Sequence, residues 1–216
     1  MSATGAWVVG VIPDAEARRL SDRYVHLIRP GDGGTTPGFS QAPAWWLNGG
    51  GGQALFEGST GPSGLVVPRS VAHRFADFIE DAKVPTEATD AVEEESMTLM
   101  PEEVGEGLFV ATARKANPVA ALYYGLGARR SALLPGRFGN FLLSADEVRA
   151  ALPGVEEALL LPGAQRSAAL SRIADWMTAM GDDPDCHAAE LIDAPLRVIR
   201  HAAGAGSGVA AFSRWY

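Results

Sequence analysis

The chain has 216 residues, of which 47% are hydrophobic and 20% charged, and its formal net charge is −8. This composition is typical of a folded globular protein and excludes wholesale disorder. The single cysteine excludes an internal disulfide bond and favours a cytoplasmic location. Residues 1–20 have neither a basic start nor a long apolar run, so we expect no secretory signal and no membrane span. The scarcity of lysine among 18 basic residues, with abundant Ala and Gly, indicates a bacterial source with a GC-rich genome.

The first elements follow from local composition. Residues 6–12 are rich in Val and Ile and predict a buried strand, after which Pro13-Asp14 opens a helix that ends between Leu20 and Arg23. Residues 24–28 predict a second strand, and residues 31–43 a loop of Gly, Pro, Ser and Thr.

A glycine run follows two tryptophans. Trp45, Trp46 and the Asn48-Gly49 pair predict a hairpin over residues 45–56, with a turn lengthened by the glycines at 49–52. The N–H groups of that run can form an anion-binding nest, but no Gly-Lys-Ser/Thr follows and the run is therefore no P-loop. A plain flexible turn is the interpretation that we favour.

The middle of the chain is acidic. A short strand near residue 65 precedes a helix that starts at Ser70 and ends near Ala82. Residues 77–106 contain 11 acidic residues and one basic residue, whereas the remainder has 15 acidic and 17 basic residues. Because residues 83–107 combine like charge with two prolines, we predict that they form a mobile insertion.

Two helices with a basic loop between them are predicted next. After a strand at 108–111, Asn117-Pro118 begins a helix and Gly127 stands where it should stop. Ser144 and Glu147 form the capping-box pattern of a second helix start. Further on, Pro153-Gly154 predicts a break or kink.

The C-terminal third is mainly helical. Core-spaced apolar residues predict a helix over 167–180 with Gly181 as its stop, and then a helix from Asp183-Pro184 that bends around Pro195 and ends near Gly204. Residues 209–216 predict a closing strand. The chain as a whole therefore predicts one compact α+β domain over residues 1–216, with short strands, a hairpin and several C-terminal helices.

The basic loop is the candidate ligand site. It contains Arg129, Arg130 and Arg137, and Asn140 adds a neutral donor beside them. The guanidinium fork suits carboxylate or phosphate groups, and the helix that follows presents an N-terminus that favours negative charge. The alternative is that these arginines pair with the acidic segment or lie in solvent.

Better-known chemistries lack their motifs. Gly-x-Ser-x-Gly, His-Glu-x-x-His and Cys-x-x-Cys are all absent, so we expect neither metal nor cofactor, and no catalytic residue is assigned. His187 and Glu190 have a metal-like spacing, but two residues at one spacing carry little information. Cys186 and the adjacent His187 point about 100° apart if they lie in a helix, which does not make a dyad.

The segment GNFLLSADEV, the alanine-rich helices that follow it and the closing AAGAGSGVAAF resemble the tail of the YfbM-like family of uncharacterised bacterial proteins. The opening strand with Pro13-Asp14-Ala15-Glu16 is also similar. The resemblance covers the last third and the first short element, and it implies a compact α+β domain without a known biochemical role.

Two functions remain open. The first is a cytoplasmic binding or interaction protein without catalytic activity, because no catalytic signature is assembled and the acidic segment suits a basic protein partner. The second is an enzyme that acts on a small anionic ligand, a phosphate- or carboxylate-bearing metabolite, at the Arg-rich loop. The acidic surface disfavours binding to nucleic acid and to anionic membranes.

Overall fold

The structure is a computed structural model that describes residues 5–24, 59–61, 64–66, 69–82, 86–182 and 188–215. These residues form six strands and seven helices, so the α+β class is confirmed. The strands are β1 (Gly5–Ile12), β2 (Ser59–Gly61), β3 (Gly64–Val66), β4 (Leu108–Ala113), β5 (Phe141–Leu143) and β6 (Gly208–Trp215). The helices are α1 (Asp14–Arg23), α2 (Arg69–Ala82), α3 (Thr86–Met97), α4 (Pro118–Ser131), α5 (Ala145–Leu159), α6 (Gly163–Met180) and α7 (Ala188–Ala205).

The main sheet is antiparallel and has the strand order β4-β1-β6-β5. The first and last strands of the chain are therefore neighbours at its centre. Strand β1 pairs with β6 along its whole length, from Gly5 opposite Trp215 to Ile12 opposite Gly208. Strands β2 and β3 form a separate two-stranded antiparallel sheet, and β3 confirms the short strand that the sequence predicted near residue 65.

The two faces of the main sheet bury different side chains. Trp7 and Val9 of β1 join the main core, which lies between the sheet and the C-terminal helices. The opposite face carries a smaller core, which α1 and α3 complete. Its buried members are Ile12, Ala17, Leu20, Tyr24, Val92, Leu142, Ala210 and Phe212.

Helix α4 contains the stop that the sequence predicted, but one more helical turn follows it. Gly127 has φ 76° and ψ 167°, which breaks the regular hydrogen bonding at that point. Two carbonyls upstream of the break are bonded by side chains: Ser131 Oγ donates to the Tyr123 carbonyl at 3.1 Å, and Arg172 Nε to the Gly125 carbonyl at 2.9 Å. The first part of the predicted basic loop is thus helical.

The capping box at the start of α5 is confirmed. The Ser144 N–H donates to Glu147 Oε2 at 2.9 Å, and the Glu147 N–H donates to Ser144 Oγ at 3.4 Å. Of the predicted break or kink at Pro153, the break is wrong, because α5 continues through it to Leu159, and the kink stays a prediction. Proline has no N–H, so Pro153 removes one backbone hydrogen bond of the helix. Val155, Ala158 and Leu159, which follow it, are buried in the main core, and their packing offsets this loss.

We expect Ser144→Ala to lower the free energy of unfolding by about 1 kcal/mol, because the Glu147 N–H loses its acceptor, the Ser144 hydroxyl. Urea denaturation measures this change. Ser167→Ala is the control, since that serine lies inside α6 and its hydroxyl bonds only the Gly163 carbonyl. Equal stability of the two variants would contradict a stabilising cap.

Other predicted boundaries moved by a few residues. Helix α2 begins at Arg69, α6 begins at Gly163 and ends with Gly181 in the left-handed conformation (φ 85°), and α7 runs through Pro195 to Ala205. Most of the predicted strand at 24–28, the loop at 31–43, the hairpin at 45–56 with its glycine run, and Asp183 to His187 lie outside the described residues. Tyr24 itself lies in a turn that closes α1.

The acidic segment 83–107 contains α3, a helix that the sequence did not predict. Its inner side is packed, since Val92 and Ser96 are buried, while residues 101–104 beyond it are exposed. The mobility of the segment stays a prediction, and the order of cuts in limited proteolysis tests it.

Candidate functional site

The predicted ligand residues Arg137 and Asn140 are the two ends of a tight turn. The Arg137 N–H donates to the Asn140 carbonyl at 2.9 Å, and the Asn140 N–H donates back to the Arg137 carbonyl at 3.1 Å. Between them Phe138 and Gly139 both have positive φ, at 48° and 80°. Two successive positive φ angles define the type I′ geometry, which is unusual with phenylalanine in the first position.

Contacts from distant elements hold this turn. Trp7 Nε1 donates to the Gly139 carbonyl at 3.0 Å, and the Asn140 side-chain oxygen accepts from the Ser213 N–H at 2.8 Å. The Asn140 amide nitrogen also donates to the Phe138 carbonyl at 3.2 Å. Asn140 therefore ties the turn to β6, and these internal bonds occupy both ends of its side chain.

The three arginines differ in their surroundings. Arg137 is buried, and this burial lowers the pKa of its guanidinium. Arg130 donates to the Glu157 and Ala158 carbonyls at the C-terminus of α5, and to Gln165 of α6 at 2.6 Å. A guanidinium at that position satisfies helix carbonyls and complements the helix dipole.

Arg129 is exposed. The hydrogen bonds of Arg130 and Asn140 lead to different elements, so they do not bring the four predicted ligand residues together in a single site. Arg130 links α4 to α5 and α6, whereas Asn140 links the turn to β6. Anion binding by these residues stays a prediction. A crevice beside the turn, lined by Trp7, Tyr123 and Phe141 among others, has room for about one water molecule and is too small for a metabolite.

A more open site lies on the other face of the sheet, between α3 and the end of β6. This acidic groove offers about 560 Å³ of room and is lined by Asp90, Glu93, Glu94, Met97, Thr98 and Arg214. Its charged side chains are three carboxylates and one guanidinium. The acidic segment was predictable from the sequence but the groove was not, because Arg214 lies 124 positions along the chain from Asp90.

Arg214 connects the two walls of the groove. Its guanidinium lies 2.8 Å from the Asp90 carboxylate and 2.7 Å from the Glu93 carboxylate. The Asp90 side chain is 54% exposed, but that of Glu93 is only 11% exposed. Burial raises the pKa of Glu93, and the attraction of Arg214 opposes this shift without cancelling it. In the groove, Arg214 therefore pairs with one exposed carboxylate, that of Asp90, and with one buried carboxylate, that of Glu93.

A second set of ion pairs fixes α3 against α1. Glu95 accepts from the Tyr24 hydroxyl at 2.6 Å, from Arg23 at 2.7 Å and from Arg19 at 3.3 Å. The Tyr24 hydrogen bond and these arginines lower the pKa of Glu95. Glu95 thus faces α1 and does not line the groove. The groove is lined by the other carboxylates of α3, those of Asp90, Glu93 and Glu94.

We expect Glu93→Gln to remove part of the pH dependence of stability. The raised pKa of Glu93 means that the folded state is favoured while this carboxyl is protonated, and that this contribution is lost as the pH rises through the raised value. At neutral pH the variant should therefore be at least as stable as the wild type, and at acidic pH the two should converge. Urea denaturation across this range, with the exposed Glu94→Gln as control, checks the sign. A variant that is less stable only at neutral pH contradicts it.

Among the described residues, no group of three or more His, Cys, Asp and Glu side chains could hold a metal ion. No helix in this part of the chain is long and apolar enough to cross a membrane. Cys186 and His187 lie outside the described residues, while Glu190 and His201 are exposed on α7.

Comparison with protein-family models, with curated proteins and with solved structures found no match. The resemblance to the YfbM-like family therefore stays a prediction.

Proposed function

We propose that this protein is a binding protein that holds a positively charged segment of a partner protein in the acidic groove. The observation that carries the proposal is the groove itself, an open depression of about 560 Å³ lined by three carboxylates and one arginine. Its excess of negative charge favours lysine and arginine side chains.

The surroundings of the groove support the same kind of partner. Met97, which lines it, is 48% exposed and can pack on the aliphatic stem of a lysine or arginine. Glu102, Glu103 and Glu106 are exposed in the loop that follows α3. These carboxylates add to the negative charge of the acidic segment.

The form of the site supports a protein segment more than a metabolite. The groove is open to solvent, whereas small-molecule sites bury most of their ligand. Its charge would repel nucleic acid and anionic lipid. The cytoplasmic location and the bacterial source belong to the same proposal, supported by the single cysteine and by the composition of the chain.

The test is the binding of a fluorescent peptide that alternates arginine with serine, followed by anisotropy. Asp90→Asn combined with Glu94→Gln should weaken binding about tenfold, the expected effect of losing two partly exposed ion pairs. The matched control is Asp22→Asn combined with Glu157→Gln, two exposed carboxylates outside the groove. Circular dichroism confirms that both double variants are folded.

The peptide assay also separates the proposal from its alternatives. If the peptide does not bind to the wild type, the proposal is wrong. If both double variants weaken binding equally, the peptide is attracted by the net charge of the protein and not by the groove. The enzyme hypothesis is tested in parallel by thermal shift with anionic metabolites, comparing wild type, Arg137→Lys and Arg129→Ala with Arg130→Ala. A ligand-dependent shift that Arg137→Lys abolishes would favour an anion site at the turn instead.

A further inference from the structure

Arg214 places a cation of the protein itself inside the acidic groove. Its backbone is held in β6, where Arg214 lies opposite Ala6 of β1 in the main sheet. Its side chain reaches α3, where Nη2 contacts the Asp90 carboxylate at 2.8 Å and Nε contacts the Glu93 carboxylate at 2.7 Å. One guanidinium thus bridges two carboxylates that lie three residues apart on one helix. An arginine of a bound partner meets a site that already contains a guanidinium.

The two ion pairs of Arg214 differ in how easily they exchange. Glu93 is buried, and a buried carboxylate that loses its partner becomes an uncompensated charge, which is strongly destabilising. Asp90 is more than half exposed, and an ion pair with an exposed carboxylate contributes little to stability. Water also reaches Arg214, whose side chain is 26% exposed. The pair with Asp90 is therefore the one that an incoming cation can replace.

Glu94 is the third carboxylate of the groove, and it is exposed. It follows Asp90 by four residues on α3, a separation at which side chains are neighbours on the helix surface, as they are at three residues. A second guanidinium can therefore bridge Asp90 and Glu94 as Arg214 bridges Asp90 and Glu93. A lysine ammonium is a compact point charge and lacks the planar fork that reaches two acceptors.

We propose that an arginine of the partner takes Asp90 from Arg214 and bridges Asp90 and Glu94, while Arg214 keeps its ion pair with Glu93. Arg214 is then a competitor within the protein that lowers the affinity of the groove, and the groove prefers arginine to lysine. The exchange leaves each of the three carboxylates with a guanidinium. This inference rests on the proposed binding function and adds the side chain that the groove recognises and the residue that regulates its affinity.

The first test is the affinity of Arg214→Lys for the arginine–serine peptide, measured by anisotropy. Lysine keeps the net charge, but its single ammonium replaces two separate nitrogens. We expect it to stay with the buried Glu93 and to leave Asp90 to the peptide, which tightens binding about threefold, the effect of one exposed ion pair. Arg166→Lys is the matched control, because Arg166 contacts Asp193 through two nitrogens at 2.7 Å and 2.6 Å outside the groove. Its affinity should equal that of the wild type.

A double variant shows whether the gain depends on Asp90. Arg214→Lys combined with Asp90→Asn should bind the peptide no more tightly than Asp90→Asn alone, because no carboxylate is left to be released. The same threefold gain in both backgrounds overturns the exchange, since it means that the two positions act independently. Circular dichroism confirms that the variants are folded.

A lysine–serine peptide of the same length tests the preference for arginine on the wild-type protein, so this result does not depend on the stability of any variant. We expect it to bind at least about threefold more weakly than the arginine–serine peptide, because an ammonium does not bridge the two carboxylates. Equal affinity for the two peptides overturns the proposal.

The results also separate this inference from the proposed function. If the wild type binds the arginine–serine peptide, and Asp90→Asn combined with Glu94→Gln weakens it, but Arg214→Lys binds as the wild type does, then the groove is a binding site and only the exchange at Asp90 is wrong. If the wild type does not bind the peptide, both proposals are wrong.

Discussion

Gly139→Ala is expected to lower the free energy of unfolding by about 3 kcal/mol, through two effects that add. An alanine at positive φ costs about 1–2 kcal/mol in backbone strain. Its Cβ would also lie 2.6 Å from a Val119 methyl and 3.0 Å from Trp7 Nε1, and such overpacking costs about 1–3 kcal/mol. Urea denaturation at neutral pH measures the sum.

Gly206→Ala separates the two effects. Gly206 also has positive φ, 66°, but the nearest atom to an added Cβ is 4.0 Å away. We therefore expect a loss of about 1 kcal/mol there, from backbone strain alone. If Gly139→Ala lowers the free energy of unfolding no more than Gly206→Ala does, the turn can move away from Val119 and Trp7. The contacts from distant elements then do not hold the turn rigidly.

Asp182→Ala is expected to cost about 2 kcal/mol, since one carboxylate accepts three successive backbone N–H groups. These are the N–H groups of Arg114 at 3.2 Å, Lys115 at 2.8 Å and Ala116 at 2.6 Å, in the segment that leads from β4 into α4. Hydrogen bonds to a charged acceptor are stronger than neutral ones, but water replaces those at exposed positions, which limits the loss.

Asp182→Asn is the informative comparison, because it keeps one carbonyl oxygen and removes the charge. We expect it to lose about half as much stability as Asp182→Ala. Thermal and urea denaturation of both variants give the two values. Wild-type stability of Asp182→Ala would mean that the three N–H groups are satisfied equally well by water.

Several elements of the fold were predictable because neighbouring residues decide them. Ser144 and Glu147 begin α5, Asn117 caps α4 by accepting from the Val119 N–H at 2.9 Å, and Gly181 ends α6. Each of these signals acts within four residues along the chain. The branched apolar residues of β1 likewise predicted a strand whatever its partners.

Other elements gave no such local signal. Strand β5 has three residues, too few for an alternating pattern, and it is a strand because β6 pairs with it. The turn at Phe138 lacks the usual Asn-Gly pair, and Trp7 supports it from 132 positions away. At Pro153 the local signal was present but misleading, because packing beyond the proline outweighed one lost hydrogen bond.

The candidate sites divide in the same way. The sequence by itself located the acidic segment and the basic loop, since charge is a property of each residue. Only the tertiary structure decided that Arg214 meets Asp90 and Glu93 in a groove and that Arg130 and Asn140 serve internal contacts. The physical reason is that these features depend on contacts between residues far apart in the chain. Such contacts form only where the packing of the two cores brings the elements together.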